Sequence, residues 1–498
     1  MLKDFFKNRL KGDSKIWAVY FSLVIISIFV FFVASSRLIG SNDAVVSPVF
    51  FHIIHLILGF GMLWIFYNLS RENIRLVSFF LLAVSVVLLL YLLVAGKSHQ
   101  GASRTFLGFF QPSEFAKLTL IVVAAYFIDK FQDTEFLKKY FRHFCWITLL
   151  TIGLIFPMNL SMAGLIAFPI LVMMIVGSMP LRNILIWVSI PIAAALIILG
   201  ISAIVPDKVY NEFGKNRSVS VKYNPETMRN ERVVSYKKIE YDTIFRKNYE
   251  TNNTDTILAK PPFLKKRLPY MTLSILQKFR WETWKNRFVN HREFNKIFKN
   301  WDKLVDYEKE DFIEENFQVV LSQCAIYEGK FLGPSASSSV WRNRLPDASS
   351  DFVFALIVGE FGWLLAFFVI FLYVILLYRS GVLIRKSKTV FSSVVIVGAT
   401  LVIALQAALH ISVNLSFFPV TGQTLPLISK GGSSIVVISA FFGLILGMSR
   451  IAEKEKIQKN DENYDENSEI LENKPVEKEF KIGDKITQPS EIEVIDVY

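Results

Sequence analysis

The feature that most constrains this 498-residue chain is the pooling of its apolar residues into runs that each match the thickness of a lipid bilayer. Ten such runs fall near residues 16–35, 49–68, 76–95, 115–129, 144–158, 162–179, 184–205, 352–378, 390–413 and 434–449. Hydrophobic residues make up 52% of the chain, charged residues only 20%, and the mean hydropathy is +0.40, which excludes an ordinary soluble domain. The expected fold is an all-α polytopic membrane protein of about ten transmembrane helices, with a large extracytoplasmic loop between the seventh and eighth. The fourth, fifth and last runs are short, so one of them is open to a re-entrant reading.

Charge placement orients the bundle. With the N-terminus cytoplasmic, every short inside loop is basic: Arg71 and Arg75; Lys130, Lys138, Lys139 and Arg142; Arg182; and Arg379, Arg385, Lys386 and Lys388. Both termini are then cytoplasmic. The first run follows Lys3, Lys7, Arg9, Lys11 and Lys15 and imitates a signal peptide, but it is longer than a typical signal core and reads as an uncleaved helix. The domains expected are an N-terminal membrane bundle over 1–206, an extracytoplasmic segment over 207–350, three membrane helices over 351–449 and a disordered cytoplasmic tail over 450–498.

The net charge of +12 does not point to nucleic acid, because no zinc spacing, RNA-binding signature or basic helical repeat accompanies it. Much of the excess lies between Lys208 and Lys303, where 22 Lys and Arg face 10 Asp and Glu. That surface suits anionic substrates, phospholipid headgroups or an acidic partner, or it is a solvated insertion. Residues 270–279 and 312–326 have the apolar spacing of amphipathic helices. From Arg450 onward, 14 acidic residues outnumber 8 basic ones and aromatics are few, the composition of a disordered tail. Cys145 and Cys324 fall near opposite membrane faces and make no disulfide framework.

Four polar constellations fall on the expected outer face. The stretch GASRTFLGFFQPSEFAK carries Arg104, then Pro112 suited to a helix start, Ser113 suited to cap it, and Glu114 and Lys117 spaced i, i+3 to pair just inside the membrane. That pair either serves chemistry or locks two helices together. In LPDASSDFVFALIVGEFG, Asp351 begins the eighth run as a helix cap or as a catalytic base. In NLSFFPVTGQTLPLISKGGSS, Lys430 precedes Gly431, Gly432 and Ser433, which either open a helix that holds an anion or make a tight turn. Arg280 and Arg287, with Trp281, Trp284 and Asn286, read as interfacial anchors.

The first three stretches resemble the signature segments of the SEDS family (shape, elongation, division and sporulation), the peptidoglycan glycosyltransferases of FtsW/RodA type, with wording nearer to FtsW. The resemblance implies a ten-helix bundle in the bacterial cytoplasmic membrane that polymerises lipid II into glycan strands on the outer leaflet, with inversion and an undecaprenyl pyrophosphate leaving group. Asp351 matches the essential acidic position and would act as general base. Arg104, Glu114, Lys117, Gly431, Gly432 and Ser433 match other motif positions. Arg104, Lys117 and Lys430, with Arg344, would hold pyrophosphate, and the glycine-rich helix start would add backbone donors. No cofactor is required, and a divalent cation is compatible. The implied partners are lipid II, a cognate class B penicillin-binding protein and other division or elongation membrane proteins. Departures from the pattern are Thr105 for Trp, Gly359 for Glu, Asn159 for Asp, and a long insertion from about 208 to 300. A lipid II flippase and an inactive scaffold that recruits a transpeptidase are the rival readings.

Overall fold

The computed structural model describes residues 10–35, 46–95, 111–157, 159–204, 217–224, 229–236, 242–247, 254–259, 291, 317–333, 345 and 348–472. Seven helices come first: α1 Ser14–Ser35, α2 Val46–Asn68, α3 Arg71–Ala95, α4 Pro112–Lys130, α5 Thr134–Ile155, α6 Leu160–Val176 and α7 Leu181–Ile204. A short helix α8, Phe317–Glu328, precedes three long ones: α9 Val353–Lys386, α10 Val390–Asn414 and α11 Gly432–Glu472. The ten long helices lie on the ten apolar runs. Six of them (α1, α2, α3, α9, α10 and the first part of α11) are long and apolar enough to cross a membrane by length and composition. Large apolar side chains such as Leu76, Phe80, Trp146 and Phe367 stay exposed along the helices, as expected where lipid and not water is the solvent.

Residues 1–452 form one compact unit and 453–498 a second. Helix α11 runs on to Glu472, where sequence composition suggests a disordered tail; the segment is rich in Glu and carries several Lys, which lose little rotamer freedom in a helix. In the basic segment between Lys208 and Lys303, two antiparallel hairpins appear: β1 Arg217–Asn224 with β2 Arg229–Tyr236, and β3 Asp242–Lys247 with β4 Thr254–Ala259. Val219 faces Val234 in the first register and Ile244 faces Ile257 in the second, β-branched pairs suited to a strand. Of the two amphipathic helices expected there, α8 overlaps the second; residues 270–279 lie outside the described residues.

Without a hydrophobic driving force between helices in lipid, close packing and hydrogen bonds hold the bundle. Helix α4 is its centre, buried on nearly every face and packed on α3, α5, α6 and α10. Helix α11 is joined to α1 by Tyr20, whose hydroxyl lies 3.3 Å from Ser439 Oγ and whose ring meets Phe442 edge-on.

Helix α9 is broken at Gly362, whose φ of 81° is left-handed. The 329–333 loop after α8 fits into the break: Trp363 N–H donates to the Lys330 carbonyl at 3.1 Å and Leu364 N–H to the Phe331 carbonyl at 3.0 Å. A Cβ on Gly362 would come within 2.5 Å of the Lys330 carbonyl oxygen, so the contact requires glycine. The break separates a short half-helix, 353–361, from the longer span below it.

Candidate active site

One end of the bundle gathers the starts of α4, α6, α9 and α11, the end of α10 and the 415–431 loop between α10 and α11. Pro112 occupies the first turn of α4, where its missing N–H costs nothing. The N-cap is Gln111 and not Ser113; Gln111 N–H instead donates to Ser433 Oγ at 3.1 Å, and its side-chain amide to Ser113 Oγ at 3.2 Å. Glu114 and Lys117 follow on the buried face. The Lys117 ammonium is fully buried, 2.7 Å from Glu114 Oε2 and 2.9 Å from Gln406 Oε1 of α10.

Gln406 passes the contact on. Its amide nitrogen donates to the Thr424 carbonyl at 3.0 Å and to Thr424 Oγ1 at 3.1 Å, and Thr424 Oγ1 lies 2.8 Å from Ser434 Oγ. A single chain of polar contacts therefore runs from α4 through α10 to the loop and the first turn of α11. Around it lies a cavity of about 190 Å³, lined by Glu114, Asn159, Gln423, Gly431, Gly432 and Ser433 among others. Asn159 caps α6 through Met162 N–H at 3.2 Å and accepts from Gln423 Nε2 at 3.3 Å. Both contacts use the amide oxygen, so Asn at this position is accommodated without a carboxylate.

Asp351 lies one residue before Phe352, the N-cap residue of α9. It is half-buried and fixed through its backbone. Asn414, the last residue of α10 and fully buried, donates from Nδ2 to the Asp351 carbonyl at 3.1 Å and accepts from Ala355 N–H at 3.0 Å. Gln323 of α8 donates to the Asn414 carbonyl at 2.6 Å. The same turn is stitched to the glycine-rich loop: Lys430 N–H donates to the Ser349 carbonyl at 2.6 Å, and Ser429 Oγ to the Ser350 carbonyl at 2.8 Å.

Of the residues expected in a site, Asp351, Glu114, Lys117, Lys430, Gly431, Gly432 and Ser433 come to this end; Arg104 and Arg344 lie outside the described residues, as do Arg280 and Arg287. Gly432 opens α11, and the glycines do not make an isolated turn. Lys117 points into the protein, pairing with Glu114 at the i, i+3 spacing and reaching Gln406 of α10. Sequence reasoning missed Gln406, which sits in the middle of an apolar helix, and the role of Asn414. A lone amide in a membrane span is the signal that marks both, since an unsatisfied polar group there is costly. Among the described residues no group of three or more His, Cys, Asp or Glu is placed to hold a metal.

Known proteins share this architecture. A chain from a solved peptidoglycan synthase complex, described as coordinating polymerization and crosslinking, superposes with a TM-score of 0.53 at 21% identity, covering 89% of this chain and 99% of that one. The probable peptidoglycan glycosyltransferase FtsW of Thioalkalivibrio sp. is 33% identical over 148 residues, 29% of this chain and 37% of the relative. The peptidoglycan glycosyltransferase MrdB of Helicobacter pylori is 36% identical over 150 residues, 28% of this chain and 39% of the relative. The chain thus matches little more than a third of the length of these curated relatives. The cell cycle protein family FtsW/RodA/SpoVE matches residues 13–245 and 287–454 and leaves 246–286 unmatched, within the stretch from about 208 to 300 read as an insertion. With both membrane halves and all three signature stretches inside that match, the chain belongs to the FtsW/RodA/SpoVE family.

Proposed function

We propose that the protein polymerises lipid II into glycan strands, with the polar end of the bundle at the outer face of the bacterial cytoplasmic membrane and both termini inside. The observation that carries this reading is the placement of Asp351: a carboxylate outside the helix cap, on a turn pinned by Asn414 and by the 429–430 loop. Asp351 accepts the proton of the incoming sugar hydroxyl as that oxygen attacks the anomeric carbon of the donor. The bond to the lipid pyrophosphate breaks on the opposite side, which inverts the centre, and the leaving group departs as an anion that needs positive charge more than a proton.

Lys430, Arg104 and Arg344 supply that charge, and Gly431, Gly432 and Ser433 bring backbone close to it. Glu114 lines the polar cavity as a hydrogen-bond acceptor for sugar hydroxyls, and the buried Lys117 holds it in place. A path for headgroups between leaflets has less support, because the charges at the other end of the bundle pair with one another. The family's description as cell cycle proteins favours a division role, and the likeness to a chain of a peptidoglycan synthase complex favours a class B penicillin-binding protein as partner. Purified protein given labelled lipid II, alone and with its cognate transpeptidase, should make glycan strands, and Asp351→Asn should abolish them while folding and insertion persist. Full activity of the Asn variant would remove Asp351 as the base.

A further inference from the structure

At the end of the bundle away from the site, Arg75 pairs with Asp129 and Arg379 with Asp13. Helix α5 carries two exceptions. Lys138 and Arg142, four residues apart, share one face of the helix and are both exposed. Among the described residues neither forms an ion pair or a hydrogen bond, and Glu135, the acid nearest in sequence, pairs with neither. Arg142 stands two residues before the apolar run of 144–158, so its guanidinium lies at the border of the hydrocarbon, where an uncompensated charge is costly.

The same face of α5 runs into a cavity of about 830 Å³ between α3, α5 and α7. Leu93 of α3, Trp146, Leu149, Leu150 and Leu154 of α5 and Ile190 of α7 make its walls, and Arg142 is the one charged group among its described lining residues. Trp146, one turn beyond Arg142, is 67% exposed, the placement of an aromatic near the membrane interface. Further along, Gly153 leaves the groove open, since a Cβ there would meet nothing within 4 Å. From Arg142 to Gly153 the helix rises about 16 Å, close to half of the ~30 Å hydrocarbon thickness and so to the depth of one leaflet. Protein does not fill the gap: α7 is tied to α5 by Trp187 Nε1, which donates to Thr148 Oγ1 at 2.9 Å, and its described residues from Pro191 to Leu196 are all exposed.

We propose that this groove holds one anionic phospholipid of the cytoplasmic leaflet, with Arg142 and Lys138 on its phosphate and an acyl chain laid along α5 as far as Gly153. The leaflet rests on the topology proposed above; the site does not depend on the reaction. A basic pocket between membrane helices on the cytoplasmic side is the arrangement that holds anionic headgroups. A zwitterionic head would bring its own cation against Lys138 and Arg142, and a soluble anion would leave the leucine walls without partner atoms. A lipid with a net negative head satisfies both the charge and the walls. The acyl chain then joins α7 to α3 and α5 across a space that no described side chain crosses, so the lipid is a structural part of the bundle and takes no part in the polar cavity, with which the groove shares no lining residue.

The test offers the full chain in detergent either phosphatidylglycerol or phosphatidylcholine with the same acyl chains, and counts bound lipid by native mass spectrometry. Phosphatidylglycerol should be retained about tenfold or more over phosphatidylcholine, and Arg142→Gln with Lys138→Gln should remove that preference, since each cation near an anionic headgroup contributes about fivefold. Gly153→Leu keeps both cations, fills the far end of the groove without a clash and suits a helix better than glycine. It should therefore fold and still lower phosphatidylglycerol retention severalfold, which decides the matter if the double variant misfolds. Equal retention of the two lipids would mean bulk lipid in a packing gap and would overturn the site. An unchanged preference in a folded double variant, unchanged retention in Gly153→Leu, or displacement of phosphatidylglycerol by an equal concentration of polyprenyl pyrophosphate would each overturn it as well. A chain that keeps the preference but makes no glycan would leave the site standing and remove the polymerase reading, whereas glycan synthesis without the preference would do the reverse.

Discussion

The two ends of this bundle use polar residues in opposite ways. At the end of α3 and α4 away from the site, Arg75 pairs with Asp129 at 3.1 Å and lies over the Phe391 ring, while Asp129 also accepts from Phe391 N–H at 2.9 Å. Nearby Arg71 donates to Ser392 Oγ at 3.1 Å. Asp13 caps α1 through Lys15 and Ile16 N–H and pairs with Arg379 of α9. These charges close on each other across helices. Among the described residues at the site end the contacts are mostly neutral amides and hydroxyls, with the buried Glu114–Lys117 pair behind them, and they border cavities and hold the Asp351 turn. Charges that neutralise one another fasten helices, whereas a polar network around open space prepares a site.

The contrast is broken most severely by removing the Glu114–Lys117 pair at the site end. Lys117→Met would leave Glu114 buried without its cation and Gln406 Oε1 without its donor. Breaking a buried pair costs about 3–5 kcal/mol. Thermal unfolding in detergent should therefore fall sharply, and the surviving folded protein should polymerise poorly because Glu114 lines the cavity. If Glu114→Gln combined with Lys117→Met restored both stability and activity, the pair would be a fastener like those at the other end.

Much of this organisation is legible in the chain. Ten apolar runs give the ten long helices, because a span must satisfy its backbone internally and only a helix does so. The site end follows from where Pro112, Asp351 and Gly431–Gly432 interrupt those runs. The break at Gly362 is not legible: Phe361-Gly362-Trp363 reads as ordinary membrane helix until the 329–333 loop supplies the carbonyls that the broken turn needs. The burial of Lys117 is hidden for the same reason. Its partner Gln406 is 289 residues away, and a spacing rule reports only the local Glu114 contact. The hairpins of 217–259 lie in a charged stretch where alternation is weak.

A smaller effect sharpens the comparison at Asn414, the amide that holds the Asp351 turn. Asn414→Leu keeps size but removes the donor to the Asp351 carbonyl and the acceptor for Ala355 N–H. With Asp351 as the proposed base, its displacement by about an ångström costs on the order of a hundredfold. The turnover number should fall by that order with little change in the KM for lipid II, because no binding group is lost. Asn414→Asp keeps the acceptor alone and should fall between the two. A loss confined to KM would place Asn414 in substrate binding and not in positioning.

The smallest effect belongs to the fastening end. Arg379→Leu removes the guanidinium that meets Asp13, but Asp13 keeps its helix-cap contacts to Lys15 and Ile16 N–H, at 3.0 and 3.2 Å, so its carboxylate is not stranded. The Arg379 side chain is also 20% exposed, which leaves water within reach of the partner it loses. The cost should be about 1–2 kcal/mol of stability, the value of a charge-assisted contact with partial rehydration. A double-mutant cycle with Asp13→Asn measures that coupling directly. Polymerisation per folded molecule should stay within about twofold of the unsubstituted protein, because a contact that joins α1 to α9 at the far end should shift a barrier at Asp351 by well under about 1 kcal/mol. A tenfold fall in turnover from Arg379→Leu, with folding intact, would mean that α9 transmits position along its length despite the break at Gly362, and the division of labour between the two ends would have to be abandoned.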